Sequence, residues 1–380
     1  GLLAAPPVTK MPAALSPAAL PSSARLPLLD MLRAFASQLL VWHHLAFYGP
    51  LADLAYPMAP VLLDWLVDPA RLVVQVFLVM GGFGTAQHLA RLRTVDGAGF
   101  WHEIIQRYRR IGLPYCLVLP LAVCANLLAG HWMDHHSISA APTLPQLLAH
   151  ALFAQDVLRY ESLSAGIWYL AIDFQLFVAC LGVALLSLWL TRHSGRDQPT
   201  AALRLMQGLL AGAAALSLFW FNRHPAYDCW GFYFLGSYFL GMLVQWVLSG
   251  SLPVGFLAGY LGVVAAALAV DWRPRLLVAV GTAVLILFAG RSHRWRRWPD
   301  SRVIGYLARI SFSLFLIHFP ACLVVSAWLS RWSLTPGQAL AGMVAAWGVS
   351  VLMAILVHHL VELPVLRRTA QPRPAATEIG

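Results

Sequence analysis

Charge is what this chain has least of. Only 11% of its 380 residues are Asp, Glu, Lys or Arg, against roughly 25% in a soluble domain. Lys10 is the only lysine. Alternation of apolar and polar residues is also missing, which excludes a lipid-spanning barrel. The five cysteines do not form a disulfide framework; Cys116, Cys124, Cys180 and Cys322 fall inside apolar runs and read as small buried hydrophobes. What is abundant is apolar: 59% of the residues are hydrophobic. The expected fold class is therefore all-α, a polytopic membrane helical bundle.

Ten apolar runs are long enough to be spans: 33–49, 71–90, 111–130, 166–190, 205–221, 231–249, 253–270, 275–290, 304–328 and 338–361. The net charge of +10 is explained by topology rather than by nucleic acid. With both termini cytoplasmic, all the cations except Arg71, Arg159, Arg223, Arg273, Arg275 and Arg331 fall on the inner side or at inner helix ends. Residues 1–24, rich in Pro, Ala and Ser, read as a disordered cytoplasmic tail, 25–366 as the membrane domain and 367–380 as a second cytoplasmic tail. The inner loop 291–302, with Arg291, Arg294, Arg296 and Arg297 beside Trp295 and Trp298, suits anionic lipid headgroups. Glycines at 81, 82, 84, 208, 212, 236, 241 and 281 are expected to let helices pack closely.

Polar groups inside a lipid-spanning helix mark a functional site by default. The first span carries Asp30 and Arg33 at its mouth and His43 and His44 deeper in. Arg33 and His44 are eleven residues apart, about three turns, and share a helix face with Ser37 between them, roughly 16 Å end to end. His43 is turned about 100° from that face and reads as a packing or secondary residue. His318 in the ninth run is expected at the same depth as His44. Asp173, about two turns into the fourth run, needs a cation or hydrogen-bond donor; Trp168 and Tyr169 precede it at the interface. Arg107 and Arg110 share a face at the inner entry to the third run and match phosphate geometry. Glu362 follows His358 and His359 by one turn. His131 and His135 have a spacing compatible with zinc, but they lack a metalloprotease pattern, and no metal is expected.

Taken in order, these segments resemble the acyltransferase-3 family of multi-pass membrane O-acyltransferases. The family's opening R…D-G-L-R-A-x-A with a following histidine is similar to Asp30, Arg33, Ala34, Ala36 and His44. Its F-F-V-L-S-G-F stretch resembles Phe77–Phe83, with Gly81 where serine is usual. Its R-x-x-R is similar to Arg107 and Arg110. Its W-F/Y-L-x-x-E stretch resembles Trp168, Tyr169 and Leu170, with Asp173 for glutamate. Ile310–Pro320 and the pair Glu362 and Pro364 resemble its last two motifs.

The resemblance implies a cytoplasmic acyl-CoA donor, usually acetyl-CoA, as co-substrate with no bound cofactor. It implies an acceptor hydroxyl on the outer side, on a glycan or lipid-linked sugar, in a bacterial cytoplasmic membrane. Some members carry an outer hydrolase-like domain; none is expected here, so the acceptor is acylated directly or with a separate periplasmic partner. On these expectations His44 is base or acyl carrier, His318 orients the carbonyl or relays the proton, and Glu362 orients a histidine or holds Arg33. Arg33, Asp30, Ser37, Arg107 and Arg110 form the donor track, and Trp168, Tyr169 and Asp173 line the acceptor entrance. A proton-coupled transporter or flippase is the alternative, but it expects internal repeats, and the sequence shows none.

Overall fold

The computed structural model describes residues 26–92, 97–195 and 199–369, so the tail expected over 1–24 lies outside the described residues. The helices run in the order α1 (Pro27–Tyr48), α2 (Pro50–Ala55), α3 (Pro60–Val67), α4 (Val74–Leu89), α5 (Gly97–Gly130), α6 (Leu144–Ala151) and α7 (Ile167–His193). There follow α8 (Pro199–Phe219), α9 (Gly231–Leu248), α10 (Val254–Val270), α11 (Pro274–Arg291), α12 (Arg302–Leu329), α13 (Pro336–Val357) and α14 (Leu363–Thr369). There is no strand among the described residues. Helix α14 carries regular structure past residue 366 into the segment expected to be tail.

Several helix starts are written locally. Proline occupies the first position of α1, α2, α3, α11 and α13, where its fixed φ suits the helix and its missing N–H is not needed. Thr335 and Gln338 close a reciprocal capping box at the start of α13, and Thr143 and Gln146 do the same for α6.

Each of the ten apolar runs becomes a helix. Eight helical stretches among the described residues are long and apolar enough to cross a membrane. The other two differ for separate reasons. Helix α10 has 17 residues, and α1 is diluted by Asp30, Arg33, Gln38, His43 and His44. The helix with the most chemistry is the one whose apolar signal is weakest.

Two hydrophobic cores hold the bundle together. One gathers residues of α4, α7, α8, α9, α10 and α11. The other gathers α1, α2, α3, α5, α12 and α13, with further residues of α7. Val76, Phe77 and Tyr169 pack against both, so the seam between the cores runs along α4 and the start of α7. Helix α9 is buried on nearly every side, as a helix apolar all round must be.

Its crossing with α4 is a backbone contact. A Cβ on Gly82 would stand 1.8 Å from the Tyr238 carbonyl oxygen, and one on Gly241 would stand 1.8 Å from that of Val79. Two polar bridges flank this crossing: Ser237 donates to Gln75 Oε1 at 2.7 Å, and Thr85 Oγ1 and Tyr238 OH lie 2.5 Å apart. Close packing therefore holds for Gly82, Gly241 and Gly236, whose Cβ would stand 2.5 Å from Leu218. It does not hold for Gly84, Gly208, Gly212 and Gly281, which have open space where a Cβ would sit. A glycine's spacing in a helix does not say whether a neighbour faces it.

The two kinds of glycine should respond with opposite signs. Gly82→Ala drives a Cβ into a carbonyl and should cost about 1–3 kcal/mol or more. Gly208→Ala should stabilise by roughly 0.5–1 kcal/mol through helix propensity. Thermal unfolding of the two variants in the same detergent checks this; equal midpoints would contradict the packing.

Candidate functional site

His44 on α1 and His318 on α12 meet inside the second core. His44 Nδ1 and His318 Nε2 are 2.7 Å apart. The ring centroids are 5.0 Å apart and the planes within 11°, which places the rings edge to edge along an N–H···N bond. His318 Nδ1 lies 3.1 Å from the Leu314 carbonyl and 2.9 Å from that of Phe315. A carbonyl only accepts, so His318 Nδ1 carries the proton and, in the neutral ring, His318 Nε2 has the lone pair. His44 Nδ1–H therefore donates to His318, and His44 Nε2 presents its lone pair on the opposite edge. The order of donors down this chain orients one basic nitrogen without any carboxylate.

His44 lines a cavity of about 240 Å³ together with residues including His43, Tyr48, Phe77, Trp168, Tyr169 and Phe315. Gly166, which caps α7 with φ +83°, completes the wall. A Cβ there would stand 3.3 Å from His44 Cε1, so glycine is required both by the left-handed backbone and by the ring beside it. Arg71, at the end of the bundle opposite the arginine-rich one, also lines the cavity and is paired with Asp68 at 2.8 Å.

Of the two roles expected of His43, packing or secondary, its position beside His44 favours the second. Its ring lines the same cavity as His44, with centroids 5.1 Å apart. Rings 100° apart on a helix still reach one cavity when the cavity is as wide as this one. Gly166 and His43 are among the cavity residues to which sequence reasoning gives no site role. A glycine directly before Ile167-Trp168-Tyr169 was the available signal for the first, and the doubled histidine for the second.

Below the cavity, towards the arginine-rich end, the half-buried Arg107 and the buried Asp173 form an ion pair. Arg107 lies over the Phe177 ring at 5.0 Å and keeps a buried Nε–H that has no partner among the described residues. The two residues were expected on opposite sides of the protein, one for donor and one for acceptor; they share one place. A Cβ on Gly81 would stand 3.0 Å from Asp173 Oδ1 and 3.6 Å from Tyr169 OH. The two departures from the family pattern, Gly81 and Asp173, thus face each other, a small residue opposite a short carboxylate.

Arg110 lies within electrostatic reach of Arg107, Arg33, Glu362 and Asp173, and Tyr169 within reach of Asp173, Arg107 and Arg33. The expected donor residues therefore form one charged cluster that ends at Tyr169, a wall of the histidine cavity. Arg33 itself is 46% exposed and lies 3.8 Å from Asp30. Ser37 is buried and donates to the Ala34 carbonyl of its own helix at 2.9 Å.

Glu362 takes its hydrogen bonds from elsewhere than Arg33: Ser313 Oγ donates to it at 2.6 Å and His358 Nδ1 at 2.8 Å. It sits in a π-helical turn, His358–Glu362, a local widening that recurs at functional positions. Trp168 stacks on Phe234 at 5.6 Å. In the loop after α5, His135 Nδ1 lies 2.7 Å from Ser137 Oγ, and no group of three or more potential metal ligands occurs among the described residues.

The segment leading to Gly166 is clamped by polar side chains. Asn126 on α5 donates to the Leu163 carbonyl at 3.2 Å and accepts from the Ser139 amide at 2.8 Å. His150 Nδ1 donates to the Gln146 carbonyl at 2.8 Å, and its Nε2 accepts from the Leu163 amide at 3.2 Å. Burial pushes the His150 pKa below the ordinary histidine value.

The helical spans define an integral membrane protein, and a buried, hydrogen-bonded imidazole pair lies in its interior. A family model described as an acyltransferase domain matches residues 26–355. The chain belongs to the acyltransferase-3 family and is a membrane acyltransferase. No curated protein and no solved structure matches it.

Two outcomes test this geometry. Arg107→Ala or Asp173→Ala alone leaves a buried unpaired charge and should cost about 3–5 kcal/mol. The double variant should cost less than the sum, and additive losses in a thermal-unfolding cycle would mean no coupling. His150 holds fewer protons folded than unfolded below pH ~6.5, so the clamp should weaken as pH falls through that value. Protonated Nε2 can no longer accept from Leu163. Hydrogen exchange at the Leu163 amide, corrected for intrinsic rate, should therefore be faster at pH 5 than at pH 7.5, and His150→Phe should remove that difference.

Proposed function

We propose that the protein transfers an acyl group, in the first instance acetyl, from cytoplasmic acyl-CoA to a hydroxyl of a cell-surface glycan or related acceptor. The observation that carries this reading is the His44–His318 hydrogen bond, because it commits Nδ1 and leaves the Nε2 lone pair free on a ring that lines an aromatic-walled cavity. Acyl transfer to a hydroxyl needs such a base.

The donor's phosphates are held at the arginine-rich end by Arg33 and Arg110, with the unpartnered Arg107 Nε–H as a further donor to an anion. Asp30 orients Arg33. Ser37 keeps the Arg33–His44 face of α1 narrow while satisfying its own hydroxyl within the helix. The thioester extends from the charged cluster past Tyr169 to the cavity, and the acceptor enters from the end where Arg71 and Trp168 lie. His44 Nε2 takes the hydroxyl proton as the oxygen attacks the thioester carbonyl. The C–S bond breaks, the sulfur receives that proton from His44, and the products are O-acyl acceptor and CoA thiol. In between, positive charge on His44 is stabilised by the His318 lone pair it already points to. Asp173 acts by holding Arg107, and Glu362 by holding Ser313 on α12, five residues before His318.

The reading places the protein in a bacterial cytoplasmic membrane, with acyl-CoA on one side and the glycan, or a separate partner that receives the acyl group, on the other. Nucleic acid has no part in it.

Purified protein incubated with radiolabelled acetyl-CoA and cell-envelope material should label an envelope product. His44→Ala should reduce that labelling by 10²–10⁴-fold, the range for loss of a general base. His318→Phe should leave the protein folded and also slow the reaction. Arg33→Ala should raise KM for acetyl-CoA more than it lowers kcat. Wild-type labelling by His44→Ala would overturn the assignment.

A further inference from the structure

The cavity that receives His44 receives a second imidazole whose state is also set by its protein partner. His43 is buried, and its Nδ1 lies 2.8 Å from the carbonyl oxygen of Leu66 on α3. The carbonyl accepts, so Nδ1 carries the proton, and in the neutral ring Nε2 on the opposite edge bears a lone pair. Both rings wall the same cavity, and the centroids are 5.1 Å apart with planes at 44°. No hydrogen bond within the described residues engages Nε2 of either ring, beyond the two Nδ1 bonds already given. The rest of the lining is mostly aromatic and aliphatic, Phe47, Phe77, Trp168, Tyr169 and Phe315 among it, and its guanidinium, Arg71, is already paired with Asp68.

Packing alone does not call for this arrangement. A ring that only filled space would be satisfied by phenylalanine and would need no hydrogen bond to a helix carbonyl 23 residues away. The bond to Leu66 holds the His43 ring in one orientation, as His318 holds His44. Two imidazole acceptors of fixed tautomer then line one cavity whose walls are otherwise mostly apolar. A ligand that satisfies both must bring two donors close together and present C–H faces to the aromatic rings. Neighbouring hydroxyls on a sugar or polyol have these properties; a lone alcohol supplies only one donor.

We propose that His43 is an acceptor-positioning residue. Its Nε2 takes a hydrogen bond from a second hydroxyl, adjacent to the one that His44 deprotonates, so that the site selects vicinal diols over lone alcohols. This rests on the acyl-transfer reading above. The second hydroxyl keeps its proton; only the oxygen facing His44 forms the ester, and CoA leaves as the thiol. A donated hydrogen bond to a neutral acceptor corresponds to a preference of up to about tenfold.

The test uses the full chain in detergent with acetyl-CoA and three small alcohols that fit the cavity: propane-1,2-diol, propane-1,3-diol and propan-1-ol. Acetyl ester formation is followed by mass spectrometry and CoA release by thiol titration. For the wild type, kcat/KM should be up to about tenfold higher for the 1,2-diol than for propan-1-ol, with the gain mainly in KM, and the 1,3-diol should fall between. His43→Phe, which keeps the ring and loses both nitrogens, should bring the ratio of 1,2-diol to propan-1-ol close to one. His43→Gln, which restores an acceptor at the end of the side chain, should recover part of that ratio. A purely structural His43 would lower both rates together and leave the ratio unchanged, and that result overturns the proposal while the acyl-transfer reading stands. A wild type with no preference for the 1,2-diol overturns it equally. Ester formation that is absent with all three alcohols, or that persists in His44→Ala, overturns the acyl-transfer reading of the cavity and the role of His43 with it.

Discussion

A polar side chain inside a membrane-spanning bundle stays there only if another buried group takes up its hydrogen bonds, because no water or lipid headgroup is at hand to do so. Much of this structure follows from that constraint. His44 is met by His318, Arg107 by Asp173, Ser237 by Gln75, and Glu362 by Ser313 and His358. Trp347 on α13 donates to Gln38 on α1 at 2.7 Å. Most of these links join helices far apart in sequence, so each fixes the rotation of two helices at once. Apolar packing brings the helices together, and the polar pairs choose which faces meet.

The same constraint organises the chemistry. A histidine whose Nδ1 is committed to a neighbour has a defined Nε2, and the neighbour decides whether that nitrogen donates or accepts. His318 is committed to its own helix through Leu314 and Phe315, which makes it an acceptor for His44 and makes His44 an acceptor for whatever enters the cavity. This relay of imidazole and backbone lies at the seam between two cores where Phe77 and Tyr169 touch both. A seam between packed bodies is a natural place for a cavity, since neither core closes it completely.

Some of the site was legible in the residue pattern because helical periodicity is a local property. The shared face of Arg33, Ser37 and His44 follows from 3.6 residues per turn, and the equal depth of His44 and His318 follows from counting inward from charged helix ends. Asp173 was recognisable as needing a partner, but not which partner. Arg107 and Asp173 are 66 residues apart, and only the crossing of α5 with α7 identifies them as one pair. Glu362 is legible as an acid that orients either a histidine or Arg33; packing of α12 against the π-helical turn decides for His358 and adds Ser313. The glycines divide in the same way: Gly82 and Gly241 meet a neighbouring backbone, while Gly208, Gly212 and Gly281 meet nothing.

The sequence by itself determined the class of the protein, the helical character of its ten apolar runs, the motifs that place it in its family, and the residues with no business in an apolar run. Those are consequences of composition and of a repeat shorter than one helix turn, and they need no knowledge of neighbours. Only the tertiary structure decided which polar groups pair, that His43 shares the His44 cavity, that Gly166 presses against the His44 ring, and that α9 rather than α1 is the helix buried on nearly every side. The physical reason is that rotation and crossing of helices are set by contacts summed over distant segments. A helix face is visible in the sequence, but the surface it meets is not.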